Sequence, residues 1–550
     1  MNGISRRSMS LAIVLAAAVW VCAPGWALVT ADPNDAVYRD LDRWQQQGYL
    51  EPLPSLRPYP TQLIVSALNE VAAKAGPVDA ELARSYLDAL RGGLLGIPVH
   101  ASATYLREQK QADGLNRLGL QADGSGTIGD LVGFSVRGRL VADDSTAEVF
   151  PRWADDYEAT LATQTPNTGT RSSLPISFGG QPFAGYGVLN GLVSFGTDRL
   201  WIQGGLVQSS FGPVLESPIL GPQAPQAGHF SATYRGSWFT YTNLVEELVA
   251  YYAVDASGNT SLITSSSGSP YPQKYLFLQT FNLSPWPWVQ ADIVQAVVSG
   301  GRFSPTYLLP LLPLYTQAYL GDWDNSFAGG YFQFNLPFGI RPSLLLYVDD
   351  LDLKKLLQLN FNTDGNKVAI QAGLSWAPPL SVPVQASLTY TAITPYTYTH
   401  FSYDTLNYLQ YTNLGQQLGS ILPPNSDQWT LRVEVIPLSW LRLDLWGKLI
   451  RHGNGSDYGS GVVVGTGTVY DDGALTGPIT FLNQNSFLTQ AVLEKDEQIG
   501  IEGTADLAYI GLRGELSLSY TLEGVQNRDL NPAAPNELNN ILGIRLSFGF

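Results

Sequence analysis

An all-β transmembrane barrel of about eighteen antiparallel strands, led by a small N-terminal α-helical domain, is the fold class that the sequence predicts. Three observations carry it. Charged residues make up 14% of the 550 residues, against roughly 25% in an ordinary soluble protein, so something other than water covers much of the surface. Mean hydropathy is zero, and no run of roughly 20 apolar residues follows the amino terminus, which excludes a bundle of membrane helices. From Pro98 to Phe550 apolar and polar residues alternate with a period of two, in segments near the roughly 9 to 11 residues of a tilted spanning strand.

Residues 1–27 read as an export signal, with Arg6 and Arg7 ahead of an apolar run from Leu11 to Cys22 and small residues at Gly25 and Ala27. Arg6-Arg7 could open a twin-arginine signal, but two basic residues before an apolar core are the ordinary n-region and favour the Sec route, and the bulky Val19-Trp20-Val21 before Cys22 makes a poor lipidation box. Cleavage after Ala27 leaves no cysteine, and with it no disulfide, thiolate nucleophile or cysteine metal site. The same cleavage takes away two arginines and no acids, so the formal charge moves from −16 to −18. That balance argues against nucleic acid as a partner and against steering of polyanions.

Residues 28–95 are expected to form a periplasmic helical domain. Val37, Leu41 and Trp44, then Leu63, Ile64, Ala67, Leu68 and Val71, then Leu82, Tyr86, Leu87 and Leu90 have helical spacing. Asp35 and Thr61 are the expected N-caps, Gly48 and Gly76 the expected stops, and the proline-rich link from Pro52 to Pro60 cannot continue a helix. So short a segment makes a marginal core, which docking on the mouth of a barrel would support.

Residues 96–550 are expected to form the outer-membrane barrel. Leu431, Val433 and Val435 alternate with Arg432 and Glu434, and Leu441, Leu443 and Leu445 alternate with Arg442 and Asp444. Trp286 and Trp288, and likewise Trp440 and Trp446, read as girdle residues at the membrane boundary. Leu542, Ile544, Leu546, Phe548 and Phe550 share one face of the last strand, and ending on Phe550 resembles the terminal strand read by the outer-membrane insertion machinery. With no long interface helix or swapped arm in the pattern, a monomer surrounded by outer-membrane lipid is expected.

Three longer stretches point beyond the barrel. One is Phe211-Gly212-Pro213-Val214-Leu215-Glu216-Ser217-Pro218; a second runs from Lys274 through Arg302, Tyr307 and Pro310 to Gly321-Asp322-Trp323-Asp324-Asn325 and Tyr347-Val348-Asp349-Asp350. The third is Tyr396-Thr397-Tyr398-Thr399-His400, followed by Tyr408, Tyr411, Gly415-Gln416-Gln417-Leu418-Gly419 and Pro424-Asn425-Ser426-Asp427. In order and spacing these resemble the capsule assembly protein Wzi family of outer-membrane proteins over most of the chain. The resemblance implies an eighteen-stranded barrel with a periplasmic helical bundle and a largely blocked interior. It further implies a lectin-like, non-catalytic role holding capsular or other exopolysaccharide on the outer face of the cell. Phe211 stands where the family often has tryptophan, and the loop after it lacks the usual asparagine-rich run, so contacts of that loop do not carry over.

Sugar binding asks for aromatic faces to stack on a pyranose and for amides and carboxylates around its hydroxyls. Tyr396, Tyr398, His400, Tyr403, Asp404, Asn407, Tyr408 and Tyr411 supply that combination between two clear strands, where a long extracellular loop is expected. Asp322, Trp323, Asp324 and Asn325 form a smaller cluster of the same kind, which also suits a turn held by Asp and Asn side chains.

The inventory for catalysis is thin, and no cofactor or metal is implied. Only His100, His229, His400 and His452 could serve as histidine bases, and none sits next to a serine in a familiar motif, although a triad assembled from separate strands would be invisible in sequence. Asp349, Asp350 and Asp352 could bind calcium through oxygen ligands but read better as a solvated strand end, because their spacing lacks the glycine and distal glutamate of a calcium loop, and Asp471 and Asp472 are read in the same way. The main competitor is a diffusion porin for small polar solutes. The proline-rich loop from Ser210 to Gly228 suits an inward constriction or plug in either case.

Overall fold

The structure, a computed structural model, describes residues 30–91, 99–110, 113–144, 153, 172–178, 181–212, 216–221, 223–254, 260–263, 271–310, 316–317, 319–321, 323–351, 366–400, 407–453, 469–470 and 487–549. The expected signal segment, Asp322, Asp352, Tyr403, Asp404, Asp471, Asp472 and Phe550 lie outside the described residues.

Among the described residues three helices come first: α1 (Ala36–Gln46), α2 (Thr61–Lys74) and α3 (Pro77–Arg91). The strands β1 (Val99–Lys110), β2 (Asp113–Ile128), β3 (Val132–Asp143), β4 (Gln181–Gly196), β5 (Leu200–Val207) and β6 (Ala227–Arg235) follow. Next are β7 (Phe239–Val249), β8 (Gln273–Trp286), β9 (Val289–Gly300), β10 (Asn325–Phe334), β11 (Ile340–Leu351) and β12 (Asn366–Trp376). The last six are β13 (Val384–Ile393), β14 (Ser426–Leu438), β15 (Leu441–His452), β16 (Glu494–Asp506), β17 (Gly514–Gln526) and β18 (Glu537–Gly549).

Each strand pairs antiparallel with its neighbour, and β18 returns to β1, from Ser102 opposite Gly549 to Lys110 opposite Ile541. Among the described residues eighteen strands thus close the barrel. A short strand, Ser172–Phe178, pairs with the start of β4 as an extra arm. Closure leaves no sheet edge, which a strand in lipid requires.

The alternation sorts the faces. Leu344, Leu374, Leu445, Ile499, Leu542 and Ile544 point away from the lumen and are exposed, as an apolar belt in contact with lipid should be. Trp286 stacks on Trp288 with centroids 5.6 Å apart, and Trp440 on Tyr509 at 4.7 Å, both at short turns between strands. Trp446 departs from the girdle expectation. It shares the inward phase of Arg442, Asp444 and Lys448 on β15, and its ring lies over Gly500, where an added Cβ would come within 2.1 Å.

The helices sit in the short-turn mouth. Asp35 caps α1 as expected, its carboxylate accepting from the Val37 N–H at 3.2 Å, and Gly48, at φ +82°, ends it. Thr61 does not cap α2. The helix starts after Pro60, whose carbonyl takes the Leu63 N–H at 3.0 Å, and the Thr61 hydroxyl bonds that of Thr30 at 2.9 Å instead.

Val37, Leu41, Trp44, Leu63, Leu68 and Val71 form the domain's own core. Arg43, fully buried, bridges Asp40 at 3.0 Å and Asp79 at 2.7 Å. Burial disfavours its charge, but the two carboxylates outweigh that and raise its pKa. The support such a small core needs comes from the wall: Arg442 donates to Asp40 at 2.8 Å, Gln46 to the Gly339 carbonyl at 2.8 Å, and Arg137 to Asp32 at 2.6 Å. Trp44 also donates to Asp79 at 2.8 Å. Trp44→Ala is therefore expected to destabilise this domain by about 3–5 kcal/mol, read as faster hydrogen exchange over residues 36–91 while the barrel strands keep their protection.

Candidate functional site: the plugged lumen and its rim

Two loops at the long-loop end turn inward and meet. Phe211, Ile219 and Leu220 from the β5–β6 loop join Leu418 and Leu422 from the β13–β14 loop in one apolar core with Leu244, Leu276, Tyr331 and Tyr347 of the inner wall. The expected inward fold of the Ser210–Gly228 loop is thus what the chain adopts. The loops approach through Gly419, where a Cβ would lie 2.4 Å from the Pro218 carbonyl oxygen.

Polar groups pin both loops. Glu216, at the tip of the first, accepts from Lys448 Nζ at 2.9 Å and from the Gln428 amide on the far wall. Lys274, on β8, donates to the carbonyls of Gln410 and Thr412 at 2.8 and 2.7 Å. At the foot of the first loop Ser209 bonds both His229 Nδ1, at 3.0 Å, and Glu246, while His229 Nε2 meets the Ser231 hydroxyl at 2.8 Å. This is the grouping from separate strands that sequence could not reveal. All four side chains are buried, so neither serine is presented to a substrate, and the cluster ties the loop to the wall.

The tyrosines expected to stack on sugar divide by burial. Tyr398 and Tyr411 are fully buried and stack on each other at 5.6 Å. Tyr398 donates to the Pro218 carbonyl at 2.6 Å and Tyr411 to that of Ile219 at 2.8 Å. Tyr396 is buried too, and it and Tyr398 hold φ of +64° and +73°, a region that only surrounding structure maintains for such residues. Far from standing in an exposed loop, Tyr396, Tyr398 and Tyr411 fold into the lumen as part of the plug.

Burial pushes the phenols of Tyr398 and Tyr411 well above their ordinary pKa of 10.0. Their folded-state pKa exceeds the unfolded value, so their contribution is complete below pH 10 and falls as pH rises beyond it. Loss of plug protection above pH 10 is expected in hydrogen exchange, with a weaker alkaline dependence in Tyr398→Phe/Tyr411→Phe.

The two predicted clusters meet at the rim. Asn325 Nδ2 donates to the carbonyls of Thr399 and Leu409 at 3.2 and 3.1 Å. Asn407, also buried, uses its amide on the His400 carbonyl and accepts from the Leu409 N–H at 3.1 Å. Tyr408 lies half-buried against Gly300, and His400 is partly exposed. Burial first and then the Asp324 carboxylate raise the Tyr408 pKa. Asp324 accepts from Tyr307 Oη at 2.6 Å and Arg302 Nη2 at 2.9 Å. Trp323 beside it is 55% exposed and Tyr319 is 76% exposed. Tyr319, Arg302 and Tyr307 complete the rim. Sequence singled out the last two only through the resemblance, and Tyr319 carried no signal beyond its place in a long loop.

Fold and site together define a plugged β-barrel of the outer-membrane class. The chain shares its fold with Wzi, an outer membrane protein involved in group 1 capsule assembly in Escherichia coli and described as a carbohydrate-binding β-barrel. The TM-score is 0.57 at 15% identity, covering 95% of this chain and 99% of that one. The outer membrane protein OprD from Pseudomonas aeruginosa matches at a TM-score of 0.41 and 10% identity, over 82% of this chain and 92% of its own. OccD3 (OpdP) of the same organism gives 0.40 and 11%, over 83% and 92%. No protein-family model matches the chain, and no curated protein matches it.

Proposed function

We propose that the chain is a non-catalytic outer-membrane barrel that holds capsular or other exopolysaccharide at the cell surface. The plugged lumen carries this reading: two anchored loops fill one end and a helical domain fills the other, which suits an anchor and not a conduit. Short turns face the periplasm in such barrels and long loops face outward, so the helices lie on the periplasmic side and Trp323, Tyr319, Tyr408 and His400 lie outside. Those four, with Arg302, are the groups that meet sugar, while the buried Asp324 holds Arg302 in place. The buried Tyr396, Tyr398, Asn407, Tyr411 and Asn325 shape the rim from beneath. The carbohydrate binding stated for Wzi supports the same ligand class here.

A diffusion porin is the second reading, favoured by the barrel size alone. Liposome swelling separates the two. A holder leaves the permeability of liposomes to small sugars at the level of protein-free vesicles, and swelling that follows solute size in the manner of an open pore would establish the porin.

A further inference from the structure

The outer face of β7–β9 breaks the apolar rule. Asn243, Gln279 and Gln295 stand opposite one another across the three strands, in the outward phase of Tyr241, Phe281 and Ile293. Gln279 lies seven residues from Trp286 on β8, about 18 Å above that girdle for a rise of ~3.4 Å and a tilt near 40°. That is inside an apolar band roughly 25 Å tall, where an unbonded amide is costly.

The chain covers Asn243 and Gln279 itself. Residues 301–309 leave the top of β9 and turn down the outside of the wall. Phe303 packs on the outward Tyr275 and Phe277 at 5.4 and 5.3 Å, and Tyr307 on Phe277 at 5.2 Å. Gln279 Nε2 donates to the carbonyls of Tyr307 and Leu309, both at 2.9 Å, and Asn243 Nδ2 to that of Leu308 at 2.8 Å. Asp324 fastens the strap from above through Tyr307 and Arg302.

The strap presents apolar groups outward. Phe303 and Leu309 are each about half exposed, beside the exposed Pro305 and Pro310, which have no N–H to leave unbonded in lipid. Arg302, its side chain 43% exposed, heads the strap and bonds Asp324 beside the exposed Trp323, and the exposed Tyr319 belongs to the same loop. The strap is thus apolar, its head cationic and the neighbouring exposed side chains of the loop aromatic.

We propose that the strap and the rim above it dock a glycolipid of the outer leaflet. An acyl chain lies along Phe303, Pro305 and Leu309, an anionic headgroup meets Arg302, and the first sugars meet Trp323 and Tyr319. A free polysaccharide would use only the top of this series, whereas an amphiphile uses all three parts in register. A guanidinium has five donors, so one shared with Asp324 still serves an anion. The proposal rests on the sugar-holding reading of the rim and names the ligand as membrane-anchored.

Native mass spectrometry of the full chain in detergent tests this with rough-type lipopolysaccharide and with the same material deacylated. The expected result is one intact lipopolysaccharide per chain, bound roughly tenfold more tightly than the deacylated form, and weakened several-fold in both Arg302→Gln and Leu309→Asn. Equal affinity for the deacylated form overturns the glycolipid while leaving the rim as a sugar site. Binding unchanged in both variants also overturns it, since the lipid is then ordinary annulus, and so does a dimer that Leu309→Asn dissociates. Failure of every saccharide form, free polysaccharide included, removes the rim reading as well.

Discussion

Removing residues 30–91 together with the plug segment 212–224 is expected to open the barrel, giving discrete conductance steps in a planar bilayer, while either deletion alone stays silent. The lumen is closed at both ends, and although the closures touch, where Leu56 and Arg57 pair with Phe211 and Ser210 and the Gly212 N–H donates to the Ser55 carbonyl at 2.6 Å, each has its own bonds to the wall. The helices are held at the short-turn mouth by Asp40–Arg442, Gln46–Gly339 and Asp32–Arg137, none of which involves the plug loops. The plug is held at the other end by Glu216–Lys448 and by the hydroxyls of Tyr398 and Tyr411 on the Pro218 and Ile219 carbonyls. Without 212–224 the tyrosine loop keeps its bonds to Lys274 and Asn325 on the wall and from Asn413 to the Gln226 carbonyl but loses the carbonyls of Pro218 and Ile219 that Tyr398 and Tyr411 hold. Steps from either single deletion would mean that one closure depends on the other.

Replacing Lys448 by Met is the second large effect. Glu216 and Lys448 are both buried, and taking one partner from a buried pair leaves a charge without its counter-ion, at a cost of about 3–5 kcal/mol. The Gln428 amide softens that loss, since it also reaches Glu216. The pair can be replaced more cheaply than it can be broken, so Glu216→Leu/Lys448→Met should recover most of the stability lost by Lys448→Met alone. Denaturant unfolding of the refolded protein in micelles reads both. A double variant no more stable than the single one would place the cost in lost packing.

Much of the fold was written locally. A period of two, the short turns and the Asp35 cap each depend on a few neighbouring residues, and the structure has them. Thr61 failed as a cap because a tertiary partner, the Thr30 hydroxyl, took its side chain. Trp446 lies inside, in phase with Asp444 and Lys448, yet an aromatic near Trp440 resembles a girdle residue in sequence whichever way it points.

The rim was harder. Tyr398 and Tyr408 look alike in sequence, and only the long-range contacts with Pro218 and Gly300 bury one and leave the other at the edge. Gln279 and Asn243 break the outward apolar pattern for a reason set by a loop that returns over them. Periodicity cannot register that return.

The most direct measurement is equilibrium binding of the source strain's purified exopolysaccharide to the refolded chain in lipid nanodiscs, with Trp323→Ala alongside. Saturable binding by the wild type, weakened roughly fivefold to tenfold in Trp323→Ala by loss of one stacking face, is the predicted result. Absence of saturable binding at any workable concentration, or binding untouched by Trp323→Ala and by a further Tyr408→Ala change, would contradict a sugar-holding rim.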